Sequence, residues 1–210
     1  IVTLNCASTQ AAAEKILPLQ PDVALLQEPP NRDALDKIAT ALFAERAHVF
    51  WSADNVIITR FSGEAIEFPD KRQTNSLRAR LEIRSDTFLE AVSVRLLPSP
   101  VRMDLWNPQC WRAYASLRRK RRSQLKVVAD QVGADRTEMP VVIGGDFNAP
   151  PRDAIFELLR PHFRDAFVAA GRGWGRSFMT RLPILRIDQI WATEQLAPIR
   201  SFAVSSRHSD

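Results

Sequence analysis

The chain has 210 residues, 45% hydrophobic and 25% charged, and 29 Lys and Arg against 24 Asp and Glu give a net charge of +5. That length fits one domain with a substantial core, and no apolar run reaches the roughly 20 residues that span a bilayer. The positive balance favours polyanionic partners, while Cys6 and Cys110 show no metal-type spacing and are compatible with a reducing compartment.

The chain opens on Ile1 inside a strand-like segment, with no basic region leading into an apolar stretch, so no signal peptide is visible. In chain order, strands are expected at 1–5 and 23–27, with a helix at about 9–19 between them that Pro18 and Pro21 close. A second helix is expected at about 32–45. From 47 to 96, strands at 48–51, 56–59, 77–83 and 89–96 follow one another with no room for helices, which implies antiparallel hairpins. A long helix at 109–133 then precedes a strand at 141–146, and a helix at 152–160 stops at Pro161. Strands at 187–192 and, with a weaker pattern, 201–204 complete the set. Strand and helix alternate on the flanks around a run of hairpins. That mixture suits an α/β (α+β) fold of two packed sheets with helices on their outer faces. No repeat, low-complexity tract or long linker divides the chain, so 1–210 reads as one domain.

Two features of the helical regions bear on partners. Arg118-Arg119-Lys120-Arg121-Arg122 lies beside an apolar stripe of Tyr114, Leu117, Leu125, Val128 and Val132. Such a run is either a solvated helix face or a contact for a nucleic-acid backbone or anionic lipid. Trp106, Trp111 and Trp174 fall in expected loops or helix starts. Stacking by them would argue for single strands, but partial burial is the expectation.

The chemistry concentrates at strand ends. Val141-Val142-Ile143-Gly144-Gly145-Asp146-Phe147-Asn148 is an apolar run that empties into a glycine turn and two polar side chains. In extended chain, residues two apart point the same way, so Asp146 and Asn148 would project together. They would do so at the carboxyl end of a strand, where open α/β sheets bind ligands. A carboxylate can position or deprotonate water while a carboxamide donates to an oxyanion; alternatively, the pair merely caps a turn. Asn5, Glu28 and Asp188 also sit at or near strand ends, and Asp210 ends the chain. Several acids with two carboxamides in a basic protein suggest a hard-cation site of oxygen ligands, and no His/Cys cluster favours zinc.

Thr3-Leu4-Asn5, Leu25-Leu26-Gln27-Glu28, Gly144-Gly145-Asp146-Phe147-Asn148, Arg186-Ile187-Asp188-Gln189-Ile190-Trp191 and His208-Ser209-Asp210 together resemble the motifs of the endonuclease/exonuclease/phosphatase superfamily. Asn55–Arg60 is similar to a further strand of that family, and the resemblance runs from end to end. It implies a four-layer, deoxyribonuclease I-like sandwich and a metal-dependent phosphoric ester hydrolase. Glu28 would be the main Mg²⁺ or Mn²⁺ ligand, with Asn5 beside it holding the ion's shell or a phosphate oxygen. Asp146 would align or deprotonate the attacking water, and Asn148 would hold phosphoryl oxygens. Asp188 would orient the family's histidine, and Asp210 would complete the shell of metal and histidine. The family's motif continues with that histidine where this chain stops, so the expectation is a domain cut short at its C-terminus; His208 lies two residues early. Relatives often carry His or Tyr near Arg95, which reads either as a phosphate contact or as a surface residue. Nucleic acid is the expected substrate. The alternatives are a lipid or sugar phosphate, for a phosphatase or phospholipase, and a phosphate-binding module without catalysis.

Overall fold

The computed structural model describes residues 1–68, 74–98, 104–134, 139–175 and 185–204. The described elements are β1 (Val2–Asn5), α1 (Gln10–Ala13), β2 (Val23–Gln27), α2 (Arg32–Phe43), β3 (His48–Trp51), β4 (Asn55–Thr59), β5 (Gly63–Ile66), β6 (Ser76–Arg84) and β7 (Thr87–Arg95). They continue with α3 (Pro108–Ala134), β8 (Val141–Asp146), β9 (Phe163–Asp165), α4 (Ala166–Ala170), β10 (Gly171–Arg172), β11 (Asp188–Thr193) and β12 (Ser201–Phe202). One sheet has the order β1-β2-β4-β3 and the other β5-β6-β7-β8-β11-β9, while β10 and β12 form a small parallel pair. Parallel pairing joins β1 to β2 and β7 to β8, and the other pairs within the two large sheets are antiparallel.

Three apolar layers hold four structural layers together, as the two-sheet expectation requires. Ala12, Ile16, Leu35 and Ile38 of the first two helical segments pack on Leu26, Val56 and Ile58. Val23, Leu25 and Ile57 meet Leu77, Leu81, Leu89 and Val142 between the sheets. Leu125, Val128 and Val132 of α3 cover Val92, Val94, Ile143 and Trp191 on the far side. Alternation explains this partition: in β2, Leu25 faces the other sheet and Leu26 faces the helices.

Several expected elements are corrected in kind. The helix expected at 9–19 is α-helical only to Ala13, after a Thr9 N-cap, and continues as a 3₁₀ helix Glu14–Leu19 that contains Pro18. Proline lacks the N–H that an α-helical ladder needs. The helix expected at 152–160 is a short 3₁₀ helix, Ala154–Leu158, capped by Asp153. Strands β5 and β9 and helix α4 lie where no element was expected; they are only three to five residues long. Among the described residues, no helix is long and apolar enough to cross a membrane.

Candidate active site at one edge of the sandwich

Each large sheet carries a row of polar side chains across one edge. Asn5 pairs with Gln27, and Gln27 pairs with Asn55, in the first sheet. Arg95 pairs with Asp146, and Asp146 with Asp188, in the second. Side chains alternate along a strand, so each row continues an inward-facing file that is apolar deeper in. Leu25 precedes Gln27, Ile57 follows Asn55, and Val142 and Gly144 precede Asp146. The inter-sheet core therefore turns polar at this edge, and the two rows meet across it.

Gln27 Nε2 donates to Ser93 Oγ at 2.9 Å, and Ser93 Oγ donates to Asn55 Oδ1 at 3.0 Å. Nearer the solvent, Asn5 Nδ2 donates to Glu28 Oε1 at 2.9 Å and to Asp146 Oδ2 at 3.1 Å. Asn5 Oδ1 accepts from Ala7 N at 2.9 Å. Its amide nitrogen thus lies between the two carboxylates and holds them together. Arg95 Nη2 lies 2.7 Å from Glu28 Oε1, and Nη1 lies 3.5 Å from Asp54 Oδ2. Of the two readings for Arg95, the structure places it among the site carboxylates. The sequence reading missed Asp54, which Asn75 Nδ2 holds at 2.8 Å and whose carbonyl accepts from Glu28 N at 3.0 Å. Asp54 sits in the turn before β4, beyond any strand-end pattern.

Glycines allow this approach. A Cβ on Gly144 would lie 2.6 Å from Leu25 Cδ1 of the facing sheet, and one on Gly145 would lie 1.8 Å from the Val94 carbonyl oxygen. Any side chain at Gly145 would push β8 off β7 and separate Asp146 from Arg95. The strand ends at Asp146, and Asn148 has a left-handed φ of 48°. The two side chains do come together, but through a turn rather than through extended chain. Asn148 Nδ2 donates to Asp146 Oδ2 at 3.1 Å and to Leu96 O at 2.9 Å, and Asn148 N donates to Asp146 Oδ1 at 2.9 Å. Glu28 also has a left-handed φ, at 44°. Such strain costs on the order of 1–3 kcal/mol and tends to be stored at functional sites.

Burial raises the pKa of Asp146, with Glu28 adding to the rise, while the Asn148 backbone N–H, the Asn5 amide and Arg95 pull it back. A raised carboxylate is the better proton acceptor. Burial and Glu28 push the Cys6 thiol up to about 12, so Cys6 stays protonated and is no nucleophile.

Part of the basic run turns inward. Arg121 is buried and donates through Nη1 to the Asn148 carbonyl, and burial lowers its pKa. Arg118 Nη2 meets Asp153 Oδ1 at 3.1 Å, and Arg122 Nη1 donates to Ala154 O at 3.2 Å. These three residues brace the segment that carries Asn148, while Arg119 and Lys120 are exposed. The apolar stripe is buried at Leu125, Val128 and Val132 and half-buried at Tyr114 and Leu117. The three tryptophans depart from expectation: Trp106 is 85% exposed, Trp111 57% and Trp174 80%.

Asp188 stands beside Asp146 in the β8–β11 register. Asp210 and His208 lie outside the described residues. Neither described histidine reaches the site: His48 pairs with Thr59 at the opposite end of β4, and His162 adjoins Phe163, which pairs with Thr193 at the far end of β11. A cleft of about 430 Å³ lined by Asp22, Phe43 and Arg60 lies at the start of β2, away from Glu28, and holds none of the site residues.

Two packed mixed sheets flanked by helices, with a polar row at the strand ends, define a deoxyribonuclease I-like fold. Residues 2–210 match the model of the Endonuclease/Exonuclease/phosphatase family, and the chain belongs to that family of phosphoric ester hydrolases. Its fold is similar to a β-hairpin deletion mutant of beta toxin from Staphylococcus aureus, at 14% identity, TM-score 0.70, covering 98% of this chain and 91% of that one. A truncated TDP2 from Caenorhabditis elegans gives 19% identity and TM-score 0.62, covering 90% and 77%. An endonuclease/exonuclease/phosphatase family protein from Leptotrichia buccalis C-1013-b gives 14% identity and TM-score 0.63, covering 92% and 87%. These identities speak to the fold alone. No curated protein matches the sequence.

Proposed function

We propose that this chain is a metal-dependent phosphodiesterase acting on nucleic acid. The observation that carries the reading is the convergence of Glu28, Asn5, Asp146, Asn148 and Arg95 from both sheets at one edge of the sandwich. The donor chemistry fits a hard divalent cation, since Glu28, Asp54 and Asp146 offer only oxygen. Among the described residues, no group of three or more His, Cys, Asp or Glu forms a metal site by itself. A cation held mainly by Glu28 would therefore keep several waters, as Mg²⁺ commonly does, and Mn²⁺ would fit the same donors. Asp210 is proposed to join that shell, and Asp188 to act beside Asp146 on the family's histidine. When bound, the ion neutralises charge on the phosphoryl group.

The chain's own residues do the rest. Asp146 accepts three hydrogen bonds, which leaves about one of its four lone-pair positions for a water proton. Asn5 fixes Asp146 beside Glu28. Arg95 supplies a charged donor to the phosphoryl oxygens. Asn148 has both amide hydrogens engaged, and a phosphoryl oxygen would take over the one shared with Asp146.

Metal dependence is tested directly. Hydrolysis of an oligonucleotide should need Mg²⁺ or Mn²⁺, and Glu28→Gln should weaken metal binding in calorimetry because a neutral amide replaces a charged ligand. Undiminished activity in excess EDTA would sink the proposal. The choice of nucleic acid rests on the net charge and on α3. Arg119→Gln with Lys120→Gln should lower affinity similarly for all sequences. It should also shallow the salt dependence by about one unit for every phosphate that the variant no longer neutralises. An unchanged slope would leave those two residues as a solvated face.

A further inference from the structure

A groove of about 450 Å³ runs between the first half of α3 and the segment after Asn148, within the range of ligand-sized clefts. Trp111 and Tyr114 line it from the helix, Pro150 and Asp153 line it from the segment, and Arg118 and Arg121 line the part nearest Asn148. The two rings sit 6.3 Å apart and tilted at 46°, so their faces are not spent on stacking with each other. Trp111 Nε1 donates to Leu105 O at 2.7 Å, which fixes the indole at the helix start although more than half of it is exposed. Arg112, Arg119, Lys120, Arg122 and Lys126 are exposed on the same helix. Arg121 ties the groove to the site, because it lines the groove and also holds the Asn148 carbonyl.

Fixed aromatic faces beside the Arg118 and Arg121 guanidinium groups suit a strand whose bases are unstacked. In a duplex those faces are covered, and a lipid headgroup has no flat π-surface to offer them. Resting on the phosphodiesterase reading, we infer that this groove seats an unpaired base flanking the scissile phosphate, so that the substrate is a single strand or a frayed end. Trp111 supplies the stacking face, Tyr114 and Pro150 bound the base, and Arg118 and Arg122, one turn apart on the groove side of α3, reach the backbone.

The test is fluorescence anisotropy with an oligothymidylate of about eight nucleotides, offered single-stranded, as a duplex, and with a central abasic site. The full chain should prefer the single strand and lose affinity for the abasic version. Trp111→Ala should bind the single strand about tenfold or more weakly, with Trp111→Phe retaining most of the affinity. Because Trp111 is largely exposed, matching unfolding profiles will show that the variants fold alike. Equal binding of duplex and single strand overturns the inference. So does a Trp111→Ala affinity within about twofold of the parent, or Trp111-dependent binding to phosphatidylserine vesicles in place of the oligonucleotide. Metal-dependent cleavage of a fully abasic strand by the unaltered chain tests the phosphodiesterase reading separately, since that strand has no base to seat. Binding decides the groove whether or not cleavage is seen.

Discussion

Asp146→Asn is expected to lower hydrolysis by about two to four orders of magnitude, the range that a positioned general base contributes. The replacement keeps the shape of the side chain and removes its proton affinity. Stability should change little, because two effects oppose each other. The folded pKa of Asp146 is raised chiefly by burial. Its contribution to stability is therefore present below the ordinary carboxylate range and is lost as pH rises through the elevated value. At neutral pH the buried charge is a cost that asparagine does not carry. Against this, Asn5 Nδ2 and Asn148 Nδ2 both donate to Asp146 Oδ2, and an amide nitrogen placed there would face two donors. Turning the new amide over instead sets it against Asn148 N, which donates to Oδ1. The check is single-turnover kinetics with excess enzyme, alongside thermal unfolding. In the parent, the acid limb of the rate profile should lie above the ordinary carboxylate range, since the working form is ionised. A variant keeping more than about a tenth of the parent rate would remove Asp146 from the role of base.

The strand ends were the legible part of this molecule, and for one reason. In Val23–Gln27 and Val141–Asp146 every residue is buried, so apolar runs ending in a polar residue mark both the strand and the place where it meets the site. That Asn5, Glu28, Asp146 and Asp188 stand at or near strand ends was legible from these runs, whereas their gathering into one site was implied by the family resemblance. Arg95 stayed open between two readings because a single arginine on an alternating strand carries no sign of the carboxylates opposite it. Asp54 and Asn75 escaped notice because they act from loops, where no periodicity reports direction. The cluster Arg118–Arg122 looked like one patch, yet helical geometry sends Arg121 inward while Arg119 and Lys120 stay outside. Strands β5 and β9 were too short to show a period. The exposure of Trp106, Trp111 and Trp174 ran against the burial that their size favours, and that departure is what points to the groove on α3.

The second large effect concerns a pair that no local pattern announces. Along β6, Leu77, Ala79 and Leu81 face the other sheet, which puts Arg78 on the outer face with Glu90 of β7. Arg78 Nε and Nη2 meet Glu90 Oε1 and Oε2 at 2.5 and 2.7 Å. The side chains are 5% and 1% exposed, so this is a bidentate ion pair shielded from water. Arg78→Met should therefore leave Glu90 buried without its guanidinium and cost about 3–5 kcal/mol. For a chain of this size that corresponds to a fall in Tm of roughly 10 °C. Desolvation of two charges largely offsets their attraction, so replacing both partners with apolar residues of similar volume is often neutral. Arg78→Met combined with Glu90→Leu should accordingly recover most of the loss. Denaturant midpoints for the parent, both single variants and the double variant provide the measurement. If Arg78→Met alone costs less than about 1 kcal/mol, the carboxylate is solvated in solution and the pair does not anchor β6 to β7. If instead the double variant stays as unstable as Arg78→Met, the outer face of these strands depends on the pair's geometry and not on its charge balance. Either result also bears on the site, since Glu90 and Arg95 share one strand and a shift of β7 would carry Arg95 away from Glu28.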